Sequence, residues 1–254
     1  MERETKIKII GTGIFIILLL SVAYLVYHSN KIEKNETIES VKINGNKLLS
    51  ENDYLNFARL SDLSNNKFSL PVIKSRFEKH PYVLKADAKF INEKEVKVFI
   101  TEKKIYGVII QGSEAFFVAE NFQLLPVFQN TKMFDFPVLS NIDKGSDLKS
   151  LRKIKSINIL QAFKIIDASK LISTKILKDL AGINLRNGGD VVLTFSGLSI
   201  PVIFGRNYEA EKMVALEALL NNYSINNNLL AESDYIDLRF YNDIYIGSIQ
   251  RVEM

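Results

Sequence analysis

The stretch "YIDLRFYNDIYIGSI", residues 235–249, decides how the fold closes. Apolar and polar residues alternate on both sides of a short polar centre, which is typical of two strands joined by a tight turn. A strand pair at the end of a fold leaves its last strand at a sheet edge unless another element covers it. The stretch therefore predicts a closing hairpin whose final strand, Ile244 to Ile249, has backbone groups that are not paired within the sheet.

The composition is that of a globular protein and excludes several kinds of site. Of 254 residues, 47% are hydrophobic and 24% are charged, and the net charge is only +4. Lys and Arg are interleaved with Asp and Glu, which disfavours a nucleic-acid binder. There is no cysteine, so a disulfide scaffold, a thiolate metal site and a Cys nucleophile are excluded.

The two histidines give no sign of a catalytic centre. His28 and His80 lie far apart in the sequence, and neither has a histidine neighbour with which to form a zinc site or a triad. A carboxylate pair or a Ser–Lys dyad stays open, since these residue types are plentiful. We expect no enzymatic activity, no cofactor and no metal.

The N-terminal region contains an uncharged run from Ile9 to Tyr27. Its length matches the about 20 residues that span a bilayer, so we expect a transmembrane helix over 9–28. A cleaved signal peptide ending at Ser21-Val22-Ala23 is the alternative. The apolar run continues past that site, which favours an uncleaved anchor.

The next region predicts a small unit with the order strand, helix, helix, strand, strand. "VKINGN" (41–46) reads as a strand and turn, and helices are expected after Ser50 and Ser69. "VLKADAKF" (83–90) and "EVKVFIT" (95–101) alternate as two further strands. Two helices on one face of a three-stranded sheet would bury both apolar stripes. This order resembles the POTRA (polypeptide-transport-associated) domain.

The rest of the chain predicts a mostly antiparallel sheet with flanking helices. Helical spacing of apolar residues appears in 146–169 and again from Tyr208 to Asn221. Between them, Asn187-Gly188-Gly189 indicates a hairpin. The predicted fold class is therefore α+β: a transmembrane helix, a POTRA domain, and a mostly antiparallel β domain with flanking helices.

Three motifs resemble the bacterial cell-division protein family FtsQ/DivIB. Pro81, Tyr82 and Glu102 match the end of that family's POTRA domain. A strand, Gly-Arg, helix pattern is matched by Gly205, Arg206 and Lys212. The closing strand pair is matched by Asp237, Leu238, Arg239, Phe240 and Gly247.

The resemblance implies a domain layout along the whole chain. We expect a cytoplasmic tail (1–8), a transmembrane helix (9–28), a linker (29–37), a POTRA domain (38–103) and an FtsQ/DivIB-type β domain (104–254). It also implies a single-pass protein of the cytoplasmic (inner) membrane with most of the chain outside the cytoplasm, at the division septum.

The implied function is a non-enzymatic scaffold. It would bind small bitopic coiled-coil division proteins of the FtsB and FtsL type and link them to proteins of septal peptidoglycan synthesis, with no nucleic-acid partner. The partner-binding residues expected on this basis are Arg206, Arg239, Phe240, Asn242, Ile244, Tyr245, Ile246 and Gly247.

The final strand would accept a strand from the partner, and the two arginines would pair with its acidic residues. The outward N–H groups are expected at Tyr245 or Gly247, depending on the register.

Three alternatives stay open. The residues of the closing stretch could be structural only, with Arg239 paired inside the protein. The chain could instead be a POTRA-containing, membrane-anchored factor in polypeptide translocation or outer-membrane protein assembly, although that class normally carries several POTRA units. A cell-wall enzyme is disfavoured because no nucleophile–base or metal spacing appears.

Overall fold

The structure is a computed structural model that describes residues 2–30, 38–62, 68–132, 135–143, 148–223, 230, 232–240 and 243–248. The chain divides into two compact units. The first consists of Met1–Gly45, Glu51–His80 and Lys85–Ile100, and the second of Asn46–Ser50, Pro81–Leu84 and Thr101–Met254.

The N-terminal helix α1 covers Glu2–Asn30. The expectation of a transmembrane helix over 9–28 is wrong, because no helix in the described part of the chain is long and apolar enough to cross a membrane. Most of the expected linker, 31–37, lies outside the described residues.

The first unit has the predicted order of strands and helices. Its elements are β1 (Ser40–Asn44), α2 (Glu51–Ala58), α3 (Leu70–Glu78), β2 (Val83–Phe90) and β3 (Glu95–Glu102). The strands form a sheet with the order β1-β3-β2, in which β1 runs parallel to β3.

The core of this unit forms where both helices cover one face of the sheet. Ile73 and Phe77 of α3 are fully buried, as are Val96 and Val98 of β3. His80 is also buried, and its ring lies 4.4 Å from the ring of Phe57 in an edge-on contact. His80 therefore packs as part of this aromatic core.

The second unit contains a nine-stranded sheet. Its strands are β4 (Ile105–Gln111), β5 (Glu114–Ala119), β6 (Leu124–Pro126), β7 (Val138–Ser140), β8 (Leu180–Asn184), β9 (Val192–Phe195), β10 (Val202–Ile203), β11 (Tyr235–Asp237) and β12 (Tyr245–Gly247). The spatial order is β12-β11-β10-β9-β8-β7-β4-β5-β6. The helices of this unit are α4 (Ile157–Ile172), α5 (Thr174–Asp179) and α6 (Glu209–Tyr223).

This sheet is mixed: among the described strands, five of the eight pairings are antiparallel and three are parallel, and the sequence did not predict the parallel ones. Strand β7 is parallel to both β4 and β8, and β10 is parallel to β11. Helices α4 and α5 connect β7 to β8, and α6 connects β10 to β11. Parallel neighbouring strands require such crossover connections. The helices were predicted as flanking elements, so parallel pairing was not predicted. The predicted hairpin at Asn187 does join the antiparallel strands β8 and β9.

A buried tyrosine ties together two segments of the second unit. The hydroxyl of Tyr82 lies 2.7 Å from the carbonyl oxygen of Pro126, to which it donates, and 2.9 Å from the hydroxyl of Thr131. It also accepts the backbone N–H of Phe128 at 3.3 Å. Tyr82 is fully buried, so its hydroxyl forms these hydrogen bonds away from bulk water.

Replacing Tyr82 by Phe should lower the free energy of unfolding by about 1–3 kcal/mol, because buried polar groups lose a hydrogen-bond partner. Tyr245→Phe is the matched control, since Tyr245 is exposed and the same hydroxyl loss there should cost almost nothing. Urea denaturation of both variants tests this. Equal midpoints would show that the Tyr82 hydroxyl does not support the fold.

Candidate partner-binding edge

Strand β12 is the terminal strand of the nine-stranded sheet. It pairs with β11 in antiparallel register, with Tyr235 opposite Gly247 and Asp237 opposite Tyr245. Within the described residues, no strand lies on its other side. The end of the predicted strand, Ile249, and the predicted site residue Asn242 lie outside the described residues.

Hydrogen bonds to β10 fix which residues of β12 face the open edge. The N–H of Ile236 donates to the carbonyl of Pro201 at 3.1 Å, and the N–H of Leu238 donates to that of Ile203 at 2.9 Å. Backbone groups alternate in direction along a strand, so those of Tyr235 and Asp237 face β12.

The partners of these two residues on β12 are Gly247 and Tyr245, whose backbone groups therefore face β11. The bond from the Asp234 N–H to the carbonyl of Gly247, at 2.9 Å, agrees with this direction. The outward backbone groups of β12 thus belong to Ile246. The expectation that Tyr245 or Gly247 donates outward is wrong, since it followed from alternation alone without the register against β11.

The side chains of β12 divide between the core and the surface. Ile244 and Ile246 pack partly buried against the hydrophobic core. Tyr245 is 51% exposed, and its ring meets that of Phe240, also 51% exposed, at a centroid distance of 4.9 Å. The edge therefore carries an exposed aromatic pair beside the outward backbone groups of Ile246.

The neighbouring strand leaves no room for a side chain at Gly247. A Cβ at this position would lie 2.5 Å from the hydroxyl oxygen of Tyr235, because the tyrosine ring covers the glycine. A larger residue would displace that ring. Gly247 thus lets β12 pack closely on β11.

Arg239 is paired inside the protein. Its guanidinium donates to both carboxylate oxygens of Asp237, with the shortest distance 2.6 Å, and to Asp190 at 2.9 Å. Its backbone N–H also donates to Asp237 at 3.0 Å. Arg239 therefore ties the residues after β11 to the segment before β9, as expected if this residue is structural.

Asp237 is the buried member of this cluster, with 3% of its surface exposed. Burial acts to raise the pKa of its carboxyl, but the hydrogen bonds from Arg239 and the charges of Arg239 and Lys212 outweigh that effect. Its pKa is therefore below the ordinary value. The hydrogen bonds to Asp237 and Asp190 raise the pKa of Arg239.

Arg206 is also bonded within the second unit. Its Nε donates to the carbonyl of Gly189 at 2.9 Å, and a terminal nitrogen donates to the side-chain oxygen of Asn158 at 2.7 Å. Asn158, at the start of α4, donates in turn to Asp143 at 2.7 Å. Arg206 therefore connects the segment after β10 to α4.

Lys212 was recognised as part of a motif but not as a site residue. It is 9% exposed, and its ammonium donates to the carbonyls of Phe204, at 2.9 Å, and Arg206, at 3.1 Å. Burial lowers its pKa. Gly205 lies between these carbonyls with φ +66°, and an added Cβ would lie 2.9 Å from Cγ of Arg239.

These residues border a pocket of about 440 Å³ next to β12. Its lining carries both charges. The basic residues Arg206, Lys212 and Arg239 lie with the acidic residues Glu211 and Asp243, beside the rings of Tyr208 and Phe240 and the side chain of Ile244. Of the predicted site residues that the structure describes, Arg206, Arg239, Phe240 and Ile244 line this pocket, and Tyr245 contacts Phe240. Ile246 and Gly247 lie further along β12. Sequence reasoning missed Asp190 and Asn158, whose only signal was their polar character beside a hairpin and a helix start.

This site offers side chains for hydrogen bonding, ion pairing and apolar contact. Among the described residues, no three His, Asp or Glu side chains come together as metal ligands would. Comparison with family models found no match, and neither did a search of curated proteins. The likeness to FtsQ/DivIB therefore rests on the sequence motifs alone.

Replacing Asp237 by Asn should lower the free energy of unfolding at pH 7 by about 1–3 kcal/mol, because the ion pair with Arg239 is lost. A carboxyl whose pKa is lowered by folding stabilises the protein above its unfolded pKa, near 3.8, and this stabilisation is lost as pH falls through the folded pKa. The difference between wild type and Asp237→Asn should therefore shrink below about pH 4.

Urea denaturation at a series of pH values measures this difference. Asp190→Asn is the matched control, since that carboxylate is more exposed and should show a smaller effect. A difference between wild type and Asp237→Asn that stays constant down to pH 2 would contradict the assignment.

Proposed function

We propose that this protein is a non-enzymatic scaffold of the bacterial division machinery. It binds small coiled-coil proteins of the FtsB and FtsL type through β12 and links them to septal peptidoglycan synthesis. The observation that carries the proposal is the open β12 edge, whose Ile246 backbone groups face away from the sheet.

The edge is suited to strand addition. An extended segment of a partner pairs with unpaired backbone groups at such an edge, and neighbouring side chains supply specificity. Here the exposed ring of Tyr245 in β12 meets the ring of Phe240, and a pocket lined by basic and acidic side chains lies beside them. A partner strand with an aromatic or apolar residue near Tyr245 fits these surfaces.

The internal pairing of Arg239 changes how it serves binding. Because its guanidinium is shared between Asp237 and Asp190, it holds the segment that carries Phe240 in place. Its contribution to binding is thus to position Phe240 and β12. Reversing its charge would place three carboxylates together and disturb the fold, so Arg239 variants do not test binding cleanly.

The site of action that we propose is the division septum, on the outer side of the cytoplasmic membrane. This location follows from the family resemblance and from the expected partners. The binding function itself depends only on the second unit.

Replacing Ile246 by Pro should weaken binding of the coiled-coil partner about tenfold, because it removes one outward N–H and leaves a partner carbonyl unpaired. The lost N–H should cost the fold little, since it faces away from β11, whereas the lost side chain, which packs against the core, should lower the urea midpoint. Ile246→Ala separates the effect of the lost side chain.

Tyr245→Pro is the matched control, because it removes an N–H that faces β11 and should lower the unfolding midpoint. Binding of FtsB- and FtsL-type extracytoplasmic segments to the full chain is measured by calorimetry, together with urea denaturation. Wild-type affinity in Ile246→Pro would mean that the partner binds elsewhere. Binding of unfolded outer-membrane proteins instead would favour the translocation alternative.

A further inference from the structure

A second pocket lies between α5, the turn that joins β9 to β10, and the C-terminal half of α6. Its volume is about 520 Å³, which falls within the range of pockets that hold small organic ligands. It shares no lining residue with the pocket beside β12. We call it the α5–α6 pocket.

The most buried residues of the lining are apolar. Ile176 and Phe195 are each 5% exposed, and the half-buried side chains of Leu198 and Leu220 line the pocket with them. Contact with such a surface removes the apolar part of a ligand from water, which stabilises the bound state.

The walls of the pocket are fixed by hydrogen bonds within the second unit. The N–H of Ser196, in the β9–β10 turn, donates to the carbonyl of Asp179 at the end of α5, at 2.6 Å. The N–H of Leu198 donates to the carbonyl of Phe195 at 3.3 Å, and the Ser173 hydroxyl caps the start of α5. The pocket is therefore preformed, so a ligand binds without the cost of ordering these segments.

Two carboxylates give the pocket its charge. Asp179 of α5 and Glu217 of α6 are both half-buried and line the pocket from different helices. Among the described residues, no basic side chain forms an ion pair with either carboxylate. Of the described residues in the lining, only Lys175 is basic, and it is exposed. The lining thus carries two negative charges and one positive charge.

The end of α6 favours a cation for an independent reason. Leu220 and Asn221 lie in the last turn of this helix, where the helix dipole places partial negative charge. The last turn carries no basic residue to offset that charge, whereas Glu209 and Glu211 do offset the opposite charge in the first turn. A cation in the pocket interacts favourably with this helix end as well as with the two carboxylates.

The shape of the pocket disfavours a second copy of the chain as its occupant. Two concave pockets cannot fill each other, and a symmetric pair would bring Asp179 and Glu217 of one copy towards the same carboxylates of the other. The occupant that fits is a compact group with a positive charge on an apolar body.

We infer that the α5–α6 pocket binds an organic ammonium ion. Its apolar body packs against Ile176 and Phe195, and its charged group donates hydrogen bonds to Asp179 and Glu217. Such a group occurs both in a free amine and at a lysine beside an apolar residue in a peptide. This binding is independent of the β12 edge.

Three probes with the same apolar body test the inference: 4-phenylbutylammonium, the neutral 4-phenylbutanol and the anionic 4-phenylbutyrate. Their binding to the full chain is measured by isothermal titration calorimetry. We expect a Kd of about 0.1–1 mM for the ammonium, about tenfold weaker binding of the alcohol, and no detectable binding of the carboxylate. N-acetyl-Phe-Lys-amide distinguishes the sources, since tighter binding than the amine assigns a peptide lysine and weaker binding a free amine.

Two variants locate the bound charge. Asp179→Asn and Glu217→Gln should each weaken binding of the ammonium about fivefold and leave that of the alcohol unchanged, because only the ammonium loses a charge-assisted hydrogen bond. Glu114→Gln, at an exposed position at the start of β5, is the matched control and should change neither. Ser196→Trp, at an exposed position of the lining, should block the pocket to both probes.

Several results would overturn the inference. They are equal affinity for the ammonium and the alcohol, no detectable binding of the ammonium, and ammonium binding that Ser196→Trp leaves intact. Dimers in sedimentation that the ammonium dissociates would assign the pocket to a second copy instead. Urea midpoints of the variants equal to that of the wild type show that a loss of binding is not a folding effect. Because no coiled-coil segment is present, the result is separate from that of the proposed function.

Discussion

The buried carboxylate of Asp237 is the group on which the candidate site depends. It lies in β11, between β10 and the terminal strand, and it accepts both the backbone N–H and the guanidinium of Arg239. A buried carboxylate without such a partner would be costly, so Arg239 stabilises Asp237 in β11. The same guanidinium reaches Asp190 and so ties the residues after β11 to the segment before β9.

The direction of the backbone in β11 sets the function of β12. The backbone groups of Ile236 and Leu238 bond to β10, so those of Tyr235 and Asp237 face β12. In the register of β12, the backbone groups of Ile246 then face outward. Strand β12 is therefore bonded to β11 at Tyr245 and Gly247, and its backbone can pair with another strand at Ile246. The ring of Tyr235 over Gly247 and the partly buried Ile246 keep this short strand on the sheet.

Much of the fold could be predicted from local sequence patterns. Alternation identified β2, β3 and the closing strands, the turn residues Asn187-Gly188-Gly189 identified the β8–β9 hairpin, and helical spacing identified α4 and α6. The parallel pairings could not be predicted this way, because alternation does not say which strands become neighbours across a helix. The membrane helix was predicted from an uncharged run alone, and the described helices do not include one that could span a bilayer.

The candidate site was predicted in part. The resemblance pointed to Arg206, Arg239 and the residues of β12, and the structure places those that it describes around one edge. The resemblance could not show that both arginines have partners inside the protein, because those partners, Asp190 and Asn158, lie far from them in the sequence. Contacts at such sequence separations leave no local pattern.

The central claim is that β12 presents the backbone of Ile246 to a partner strand. Amide hydrogen exchange at single-residue resolution, on the full chain with and without the coiled-coil segment, tests it most directly. The account predicts slow exchange at Tyr245 and Gly247 in both states, and exchange at Ile246 that is fast in the free protein and slow in the complex. An Ile246 amide that is already protected in the free protein, or one that stays fast at saturating partner, would contradict it.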